Sequence, residues 1–407
     1  MKQKEFDLIV FGATSFVGQI LVQYLWKRHG LAGEVRWAIA GRDASKLGKL
    51  KNRLGEQAHD LPVLIANASN DDELQALCAK TRVVVSTVGP YALYGSPLVK
   101  VCAETGTDYC DLTGEVQWIA RMIEQHEETA RKTGARIVHC CGFDSIPSDL
   151  GVYFLQQAAT SNFGEPCQQV RMRVRKLKGE FSGGTVASMI NVTREVAADP
   201  ALAKKLANPY LISPSRLPAR QPNVSFAEFD PVAKSWLAPF VMAGINTRVV
   251  HRSNALQEYG YGKEFKYDEA MMTGSGLKGR LTAMGLASGM AGFLVGAALP
   301  PTRWVLEKFV VPKPGEGPSE TSQQRGSYDL RFYGKTSKEN TMAAKVTGDM
   351  DPGYGSTGKM LGEAAVCLAK DVGDKAGGFW TPASLMGEPL LNRLKAHAGL
   401  NFELLSD

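Results

Sequence analysis

No two of the seven cysteines form a Cys-x-x-Cys pair, and their number is odd. That spacing argues against a disulfide framework and against a thiolate zinc site, and thiols kept free suit a reducing compartment. The adjacent Cys140 and Cys141 read as buried thiols at a strand end rather than a redox couple. Concentrated charge is also missing. Lysine and arginine total 47 against 41 acidic residues, a net +6 over 407 residues, which excludes the dense basic face of a dedicated nucleic-acid binder. The opening MKQKEFDLIVFG runs from a charged lead into a strand-like segment, with no apolar secretory core, so a cytoplasmic chain is expected. The pattern shows no repeat, no metal-ligand set, no nucleophile triad and no Tyr-x-x-x-Lys pair where a short-chain dehydrogenase would need one. Glycine, in contrast, is plentiful: 42 residues, about a tenth of the chain against a usual 7% or so.

The first 150 residues alternate short apolar runs with helical periodicity. Phe6–Phe11, Val35–Ala40, Leu61–Ile65, Arg82–Val88, Asp108–Leu112 and Arg136–Cys140 read as strands. Continuous apolar runs such as FDLIVF suit strands buried on both faces. The intervening helices carry starting signals at Asp43 or Ser45, Ser69 or Asn70, and Ser96-Pro97. Strands joined by helices of this length predict right-handed crossovers and a doubly wound parallel sheet. After Gly151 the period changes to two, in VRMRVRK (170–176), SYDLRFY (327–333) and TMAAKVT (341–347). This predicts a second, α+β domain with a largely antiparallel sheet. The expected division is 1–150, then 151–385 with an apolar insertion around 270–312, then a C-terminal segment, 386–407, packing back on the chain. Residues 200–239 and 312–317 read as linkers, and 377–384 as an irregular loop.

The first strand runs directly into Gly12, Ala13, Thr14, Ser15, Phe16, Val17 and Gly18, and a helix follows. Strand, glycine turn and helix in that order make a dinucleotide site, with pyrophosphate on the helix N-terminus. Ser15 stands where the fingerprint has glycine, and its hydroxyl is available to phosphate. At the end of the second strand, an NAD site usually places a carboxylate for the ribose hydroxyl. Here the residues are Gly41 and Arg42. A guanidinium suits a 2′-phosphate, so the cofactor is read as NADP(H). Val88, Gly89 and Pro90 follow the fourth strand at the same edge and complete the cofactor set. Tyr91, Tyr94, Asp144 and Ser145, on the loops after strands four and six, are the candidate proton donors, with Tyr94 and Asp144 first. Each has a bland alternative, as a buried hydroxyl or a helix cap. His251 is expected at the surface, with the cleft as its alternative.

GATSFVG, AGR, STVGPYALYG, DLTGE, GFDSIPSDLG, GGT (183–185), DPGYGSTGKM and GGFWTPAS together resemble the saccharopine-dehydrogenase-like oxidoreductases, which include the bacterial trans-acting enoyl reductases. The resemblance implies a Rossmann domain holding NADPH and a second domain closing over it. It also implies an enoyl or carbonyl reductase with a lipid-like substrate. A saccharopine-type imine oxidoreductase and a catalytically silent NADPH-binding protein at a lipid surface are the alternatives.

From Leu281 to Thr302 lie 22 residues without a charge, flanked by Lys278, Arg280, Arg303, Lys308 and Lys313. That length approaches a membrane span, and Gly285-x-x-x-Gly289 and Gly292-x-x-x-Gly296 permit close helix packing. Peripheral membrane contact, a buried helix or homodimer interface, and a true span stay open. For the cofactor, Arg42→Ala should weaken NADPH binding about 10- to 100-fold, the loss of a charge-assisted contact, and leave NADH binding nearly unchanged. Equal losses in titrations of the two would contradict the assignment.

Overall fold

The computed structural model describes residues 4–179, 183–309 and 317–406. Lys313, most of the 312–317 stretch and the first three residues of the N-terminal lead lie outside the described residues, as do the side chains of the GGT segment.

Six strands, β1 (Phe6–Phe11), β2 (Trp37–Gly41), β3 (Val63–Ile65), β4 (Thr81–Ser86), β5 (Asp108–Asp111) and β6 (Arg136–Val138), form a parallel sheet in the order β6-β5-β4-β1-β2-β3. All six residues of β1 are buried, as its uninterrupted apolar run requires. The crossovers are α1 (Phe16–His29), α2 (Ala44–Leu54), α3 (Asp71–Lys80), the short α4 (Tyr91–Tyr94) with α5 (Ser96–Thr105), and α6 (Val116–Thr133). Asp43 caps α2, accepting from the Lys46 N–H at 3.0 Å, and Asn70 caps α3, accepting from Glu73 at 3.3 Å. Ser96 is not the cap expected of it. Its hydroxyl instead accepts from the Trp118 indole at 2.9 Å, and Gly95 precedes the helix.

Beyond α7 (Ile146–Phe163), the second sheet begins with the long β7 (Cys167–Lys178). The helices α8 (Gly183–Ala198) and α9 (Pro200–Leu206) follow, then β8 (Glu228–Asp230), β9 (Ser235–Pro239), α10 (Ala243–Leu256) and β10 (Lys266–Gly274). Residues 200–239 are therefore no mere linker, since they supply a helix and two strands. The apolar segment forms α11 (Gly276–Ala298), and α12 (Pro300–Phe309) turns back from it. After α13 (Glu320–Gln324) come the hairpin strands β11 (Ser327–Thr336) and β12 (Thr341–Gly348), paired antiparallel from Tyr328–Gly348 to Lys335–Thr341. Then α14 (Gly355–Lys370) packs beside α1, and β13 (Gly378–Trp380) joins the first sheet, parallel to β6. The 377–384 segment is thus a strand plus the short helix α15 (Pro382–Leu385), not an irregular loop. The last strand, β14 (Leu400–Leu405), pairs with β12 and completes a sheet ordered β14-β12-β11-β7-β10-β9-β8. All its pairings are antiparallel except β7 with β10.

Glycine sets the spacing between these layers at two helices. On α14, a Cβ at Gly358 would stand 2.7 Å from Ile20 of α1, and one at Gly362 2.8 Å from the Tyr24 ring. On α7, a Cβ at Gly151 would come within 2.3 Å of the ring of Phe332, which is fully buried in β11. The ring has nowhere to move in a close-packed core. Gly151→Ala should therefore cost about 1–3 kcal/mol by overpacking, read as a lowered Tm in a circular-dichroism melt. An unchanged Tm would contradict the packing described.

Candidate functional site

In the first sheet the strand order reverses between β1 and β4, the position where doubly wound sheets open a crevice at the carboxyl ends of their strands. The turn from β1 to α1 lies at that point. Gly12 has a φ of +85°, and a Cβ there would meet Val88 at 2.6 Å and Thr87 Oγ1 at 2.9 Å. A Cβ on Gly18 would meet the Gly12 carbonyl oxygen at 2.3 Å. Both positions thus exclude any side chain. Ser15 caps α1, accepting from the Gly18 N–H at 2.9 Å and donating to Thr87 Oγ1 at 3.0 Å. Thr87 in turn donates to the Gly12 carbonyl at 2.9 Å. The Ser15 hydroxyl, read from sequence as available to phosphate, is therefore engaged in holding the turn. Ala13 is buried in this turn, and Thr14 keeps partial exposure and accepts from Gln19 through its carbonyl. Phe16 stands edge-on to Tyr354, with ring centroids 4.7 Å apart, and Val17 lies in the first turn of α1.

Gly41 ends β2, and Arg42 follows it with its side chain exposed. The neighbouring Asp43 carboxylate is turned to its capping role on α2. The strand end therefore offers a cation, with the nearest carboxylate already occupied. Val88, Gly89 and Pro90 lead from β4 into α4 beside Gly12.

The four candidate proton donors have different surroundings. Tyr91 is buried, its hydroxyl donating to the Ser86 carbonyl at 3.0 Å and its ring 5.5 Å from Trp118. Ser145 is buried and donates to Asn246 Oδ1 at 3.0 Å. Tyr94, at the end of α4, is 51% exposed. Asp144 lies between two loops: its carboxylate oxygens stand 3.4 and 3.0 Å from where Cβ atoms on Gly114 and Gly142 would be. The residue keeps partial solvent access, yet its carboxyl is set among buried neighbours. Burial pushes that carboxyl up to about 7; its own backbone N–H pulls it down, and the Asp111 charge pushes it further up. The loop that carries it is held from three elements. Phe143 N–H donates to Thr357 of α14 at 3.0 Å, the Phe143 ring meets Tyr328 of β11, and Ser145 binds Asn246 of α10.

Several polar residues at this edge escaped the sequence reading. Thr87 is one, because its role depends on contacts more than 70 positions away. Glu115, fully buried, accepts from the N–H groups of Tyr91 (2.8 Å) and Ala92 (3.0 Å) and from Ser188 (3.0 Å). Asp111 accepts from Tyr109, the Thr113 N–H and the Cys140 N–H, and lies 2.7 Å from His139 Nδ1. Glu269, which burial pushes up to about 7, binds Tyr267 and Asn246 and so reaches Ser145. The only signals for these were the two acidic residues of DLTGE, Asp111 and Glu115, and the position of Thr87 in STVGPYALYG. His251 is neither at the surface nor in the cleft: it is buried beside the Tyr210 and Phe265 rings, and burial with the Arg248 charge lowers it to about 3. All seven cysteines are buried, and burial pushes the Cys140 and Cys141 thiols up.

Comparison with known proteins agrees with this geometry. Residues 8–140 match the family model described as the saccharopine dehydrogenase NADP binding domain. A Mycobacterium tuberculosis protein named as a trans-acting enoyl reductase is 42% identical, covering 98% of this chain and 97% of its own length. A trans-acting enoyl reductase of Mycobacterium ulcerans is 36% identical, with 96% coverage of both. Among solved structures, the apo saccharopine dehydrogenase (L-Glu forming) of Saccharomyces cerevisiae superposes with a TM-score of 0.55 over 98% of this chain and all of its own, at 13% identity. That likeness is one of fold.

The Thr87 hydroxyl can be tested directly. Thr87→Val removes the acceptor of the Ser15 hydroxyl proton and one of the two donors to the Gly12 carbonyl, which keeps the Ser15 N–H at 2.8 Å, at a cost of about 1–3 kcal/mol for the donor left unsatisfied. It should weaken NADPH binding at least 10-fold, with Thr87→Ser restoring it. Wild-type affinity in the valine variant, measured by nucleotide fluorescence titration, would contradict the role.

Proposed function

We propose that this chain, an NADP-dependent oxidoreductase that belongs to the saccharopine-dehydrogenase-like family of trans-acting enoyl reductases, reduces the carbon–carbon double bond of a lipid-like enoyl substrate in the cytoplasm. The observation that carries this reading is the pairing of the glycine turn with Asp144. One edge of the first sheet carries a cradle shaped for a dinucleotide and a carboxyl whose acid form persists near neutral pH.

The division of labour we propose assigns the cofactor to residues 1–150, whose sheet and helix layer β13 and α14 complete, and the substrate to the remainder of 151–385. Gly12, Ala13, Thr14, Ser15, Phe16, Val17 and Gly18 would receive the pyrophosphate on free N–H groups at the start of α1, where the helix dipole favours an anion. Gly41 and Arg42 would take the adenosine ribose and its 2′-phosphate, and Val88, Gly89 and Pro90 would flank the other half. When bound, NADPH supplies a hydride; the protein must then supply a proton at the neighbouring carbon. Asp144 is the group we assign to that step, because a carboxyl raised to about 7 keeps a substantial protonated fraction near neutral pH. The hydroxyls of Tyr91 and Ser145 already donate within the protein. Tyr94, half exposed, is the second choice.

The imine alternative needs cations for a substrate bearing several carboxylates. The arginines of β7 are engaged elsewhere. Arg173 is buried between Asp230 (2.7 Å) and Asp268 (2.6 Å), and Arg175 pairs with Asp329 at 3.3 Å. This disposition favours the less polar substrate.

A proton donor must carry its proton, so activity should be retained below the raised pKa of Asp144 and decline above it. In a pH profile of kcat with an enoyl thioester and saturating NADPH, the descending limb should fall near 7. Asp144→Asn should lower kcat about 100- to 10,000-fold and remove that limb. A variant that keeps both rate and limb would move the role to Tyr94, where Tyr94→Phe tests it.

A further inference from the structure

The helix α11, without charge beyond Arg280, leaves most of its surface uncovered. Gly279, Ala283 and Ala287, four residues apart, are buried where the helix packs on β9, β10 and α8. Of the four glycines expected to permit close helix packing, only Gly296 meets a neighbour within the chain, Leu306 of α12 at 3.9 Å from its added Cβ; a Cβ at Gly285, Gly289 or Gly292 would meet nothing within 4 Å. The opposite side carries large apolar side chains in the open, including Leu277 (70% exposed), Leu281 (58%), Val295 (61%) and Leu299 (52%). Only 17% of its most apolar window is buried, so the reading as a core helix of this chain is excluded. At its far end the Thr302 hydroxyl donates to the Gly296 carbonyl at 2.5 Å and closes the corner into α12, where Trp304 is 56% exposed.

An apolar surface of this extent on a soluble chain marks a contact, and its charges indicate with what. From Gly274 to Leu306 there is no acidic residue, whereas Lys278, Arg280, Arg303 and Lys308 bracket the apolar stretch. Arg280 lies over the Trp236 ring at 5.3 Å, and Lys308 over the Trp304 ring at 4.7 Å. Basic and aromatic groups flanking exposed leucines and valines match the boundary between anionic headgroups and acyl chains. A span would require α11 to leave β9 and β10 and Arg280 to leave Trp236. We therefore propose that α11 and α12 form a monotopic docking surface that seats the protein on an anionic lipid bilayer, with α11 lying in the interface. This surface is independent of the reaction assigned above, although it would bring a lipid-like substrate to the enzyme. From it the chain returns to Gly317, where a Cβ would lie 2.4 Å from the ring of Phe16 in the cofactor turn.

The test is co-sedimentation of the full-length protein, saturated with NADPH, with phosphatidylcholine vesicles that contain or lack about one third phosphatidylglycerol. Binding to the anionic vesicles should be at least 10-fold tighter than to the neutral ones and should weaken in high salt. Leu281→Glu/Val295→Glu, on exposed positions, should reduce it about 10-fold or more while Tm and NADPH affinity stay at wild-type values. Lys278→Glu/Lys308→Glu should remove the advantage of the anionic vesicles. The proposal is overturned if the wild type sediments with neither vesicle. It is also overturned if light scattering in lipid-free buffer shows a dimer that Leu281→Glu/Val295→Glu dissociates while vesicles capture nothing, because the surface then belongs to a second copy of the chain.

Discussion

Gly18 lies against the carbonyl of Gly12 so closely that a single added carbon would stand 2.3 Å from the oxygen. That approach lets α1 start immediately behind β1, with its first N–H groups facing the crevice. It also brings Ser15 within reach of Thr87, so that two hydroxyls close the turn onto the end of β4. Because β1 and β4 are the strands between which the sheet order reverses, this contact shapes the place where a dinucleotide can enter. The loops after β4, β5 and β6 are arranged around it. A side chain at either glycine would push α1 outward, and the close packing of α14 on α1 at Gly358 and Gly362 leaves no room for that.

The treatment of buried carboxylates separates structure from chemistry. Glu363 is fully buried and answered by Tyr24, Arg28 and Arg393. Asp108 is clamped by Arg136, and Asp149 accepts from Ser253 and the Ala383 N–H. Asp111 and Glu115 each collect several donors. Such groups pair because an unpaired buried charge is costly. Asp149 and Glu269 are raised to about 7 as well, but they accept from Ser253, Tyr267 and Asn246; on Asp144, among the described residues, only its own backbone N–H acts as a donor, and the charge it feels, Asp111, is of its own sign. A carboxyl perturbed in this way at a crevice edge is the usual mark of acid–base chemistry.

The first sheet was legible because each strand, buried on both faces, announces itself as an apolar run, and because Asp43 and Asn70 cap by local rules. The place of the glycine turn and of Arg42 in the fold was legible for the same reason: it is set by the strand before and the helix after. What stayed hidden depends on distance along the chain. β13 is three residues long beside two glycines, and only its pairing with β6, some 240 positions earlier, makes it a strand. Of the two short strands between Pro200 and Pro239, β9 exists because β10 gives it an edge to pair with, and β8 because β9 does. Thr87 and Asn246 have no local pattern at all. The apolar segment was visible as composition, but which side of it would be covered was not, since that is decided by β9 and β10.

On the function proposed above, these features serve one reaction: transfer of hydride to an activated double bond, with a proton delivered from the protein side of the crevice. The most direct measurement is the mass of the product formed from an enoyl thioester and NADPH carrying deuterium at the transferred position, in ordinary water. The account predicts a saturated product bearing one deuterium from the cofactor and one hydrogen from solvent-exchangeable acid. An unlabelled product, reduction confined to imines, or NADPH binding without turnover would contradict it.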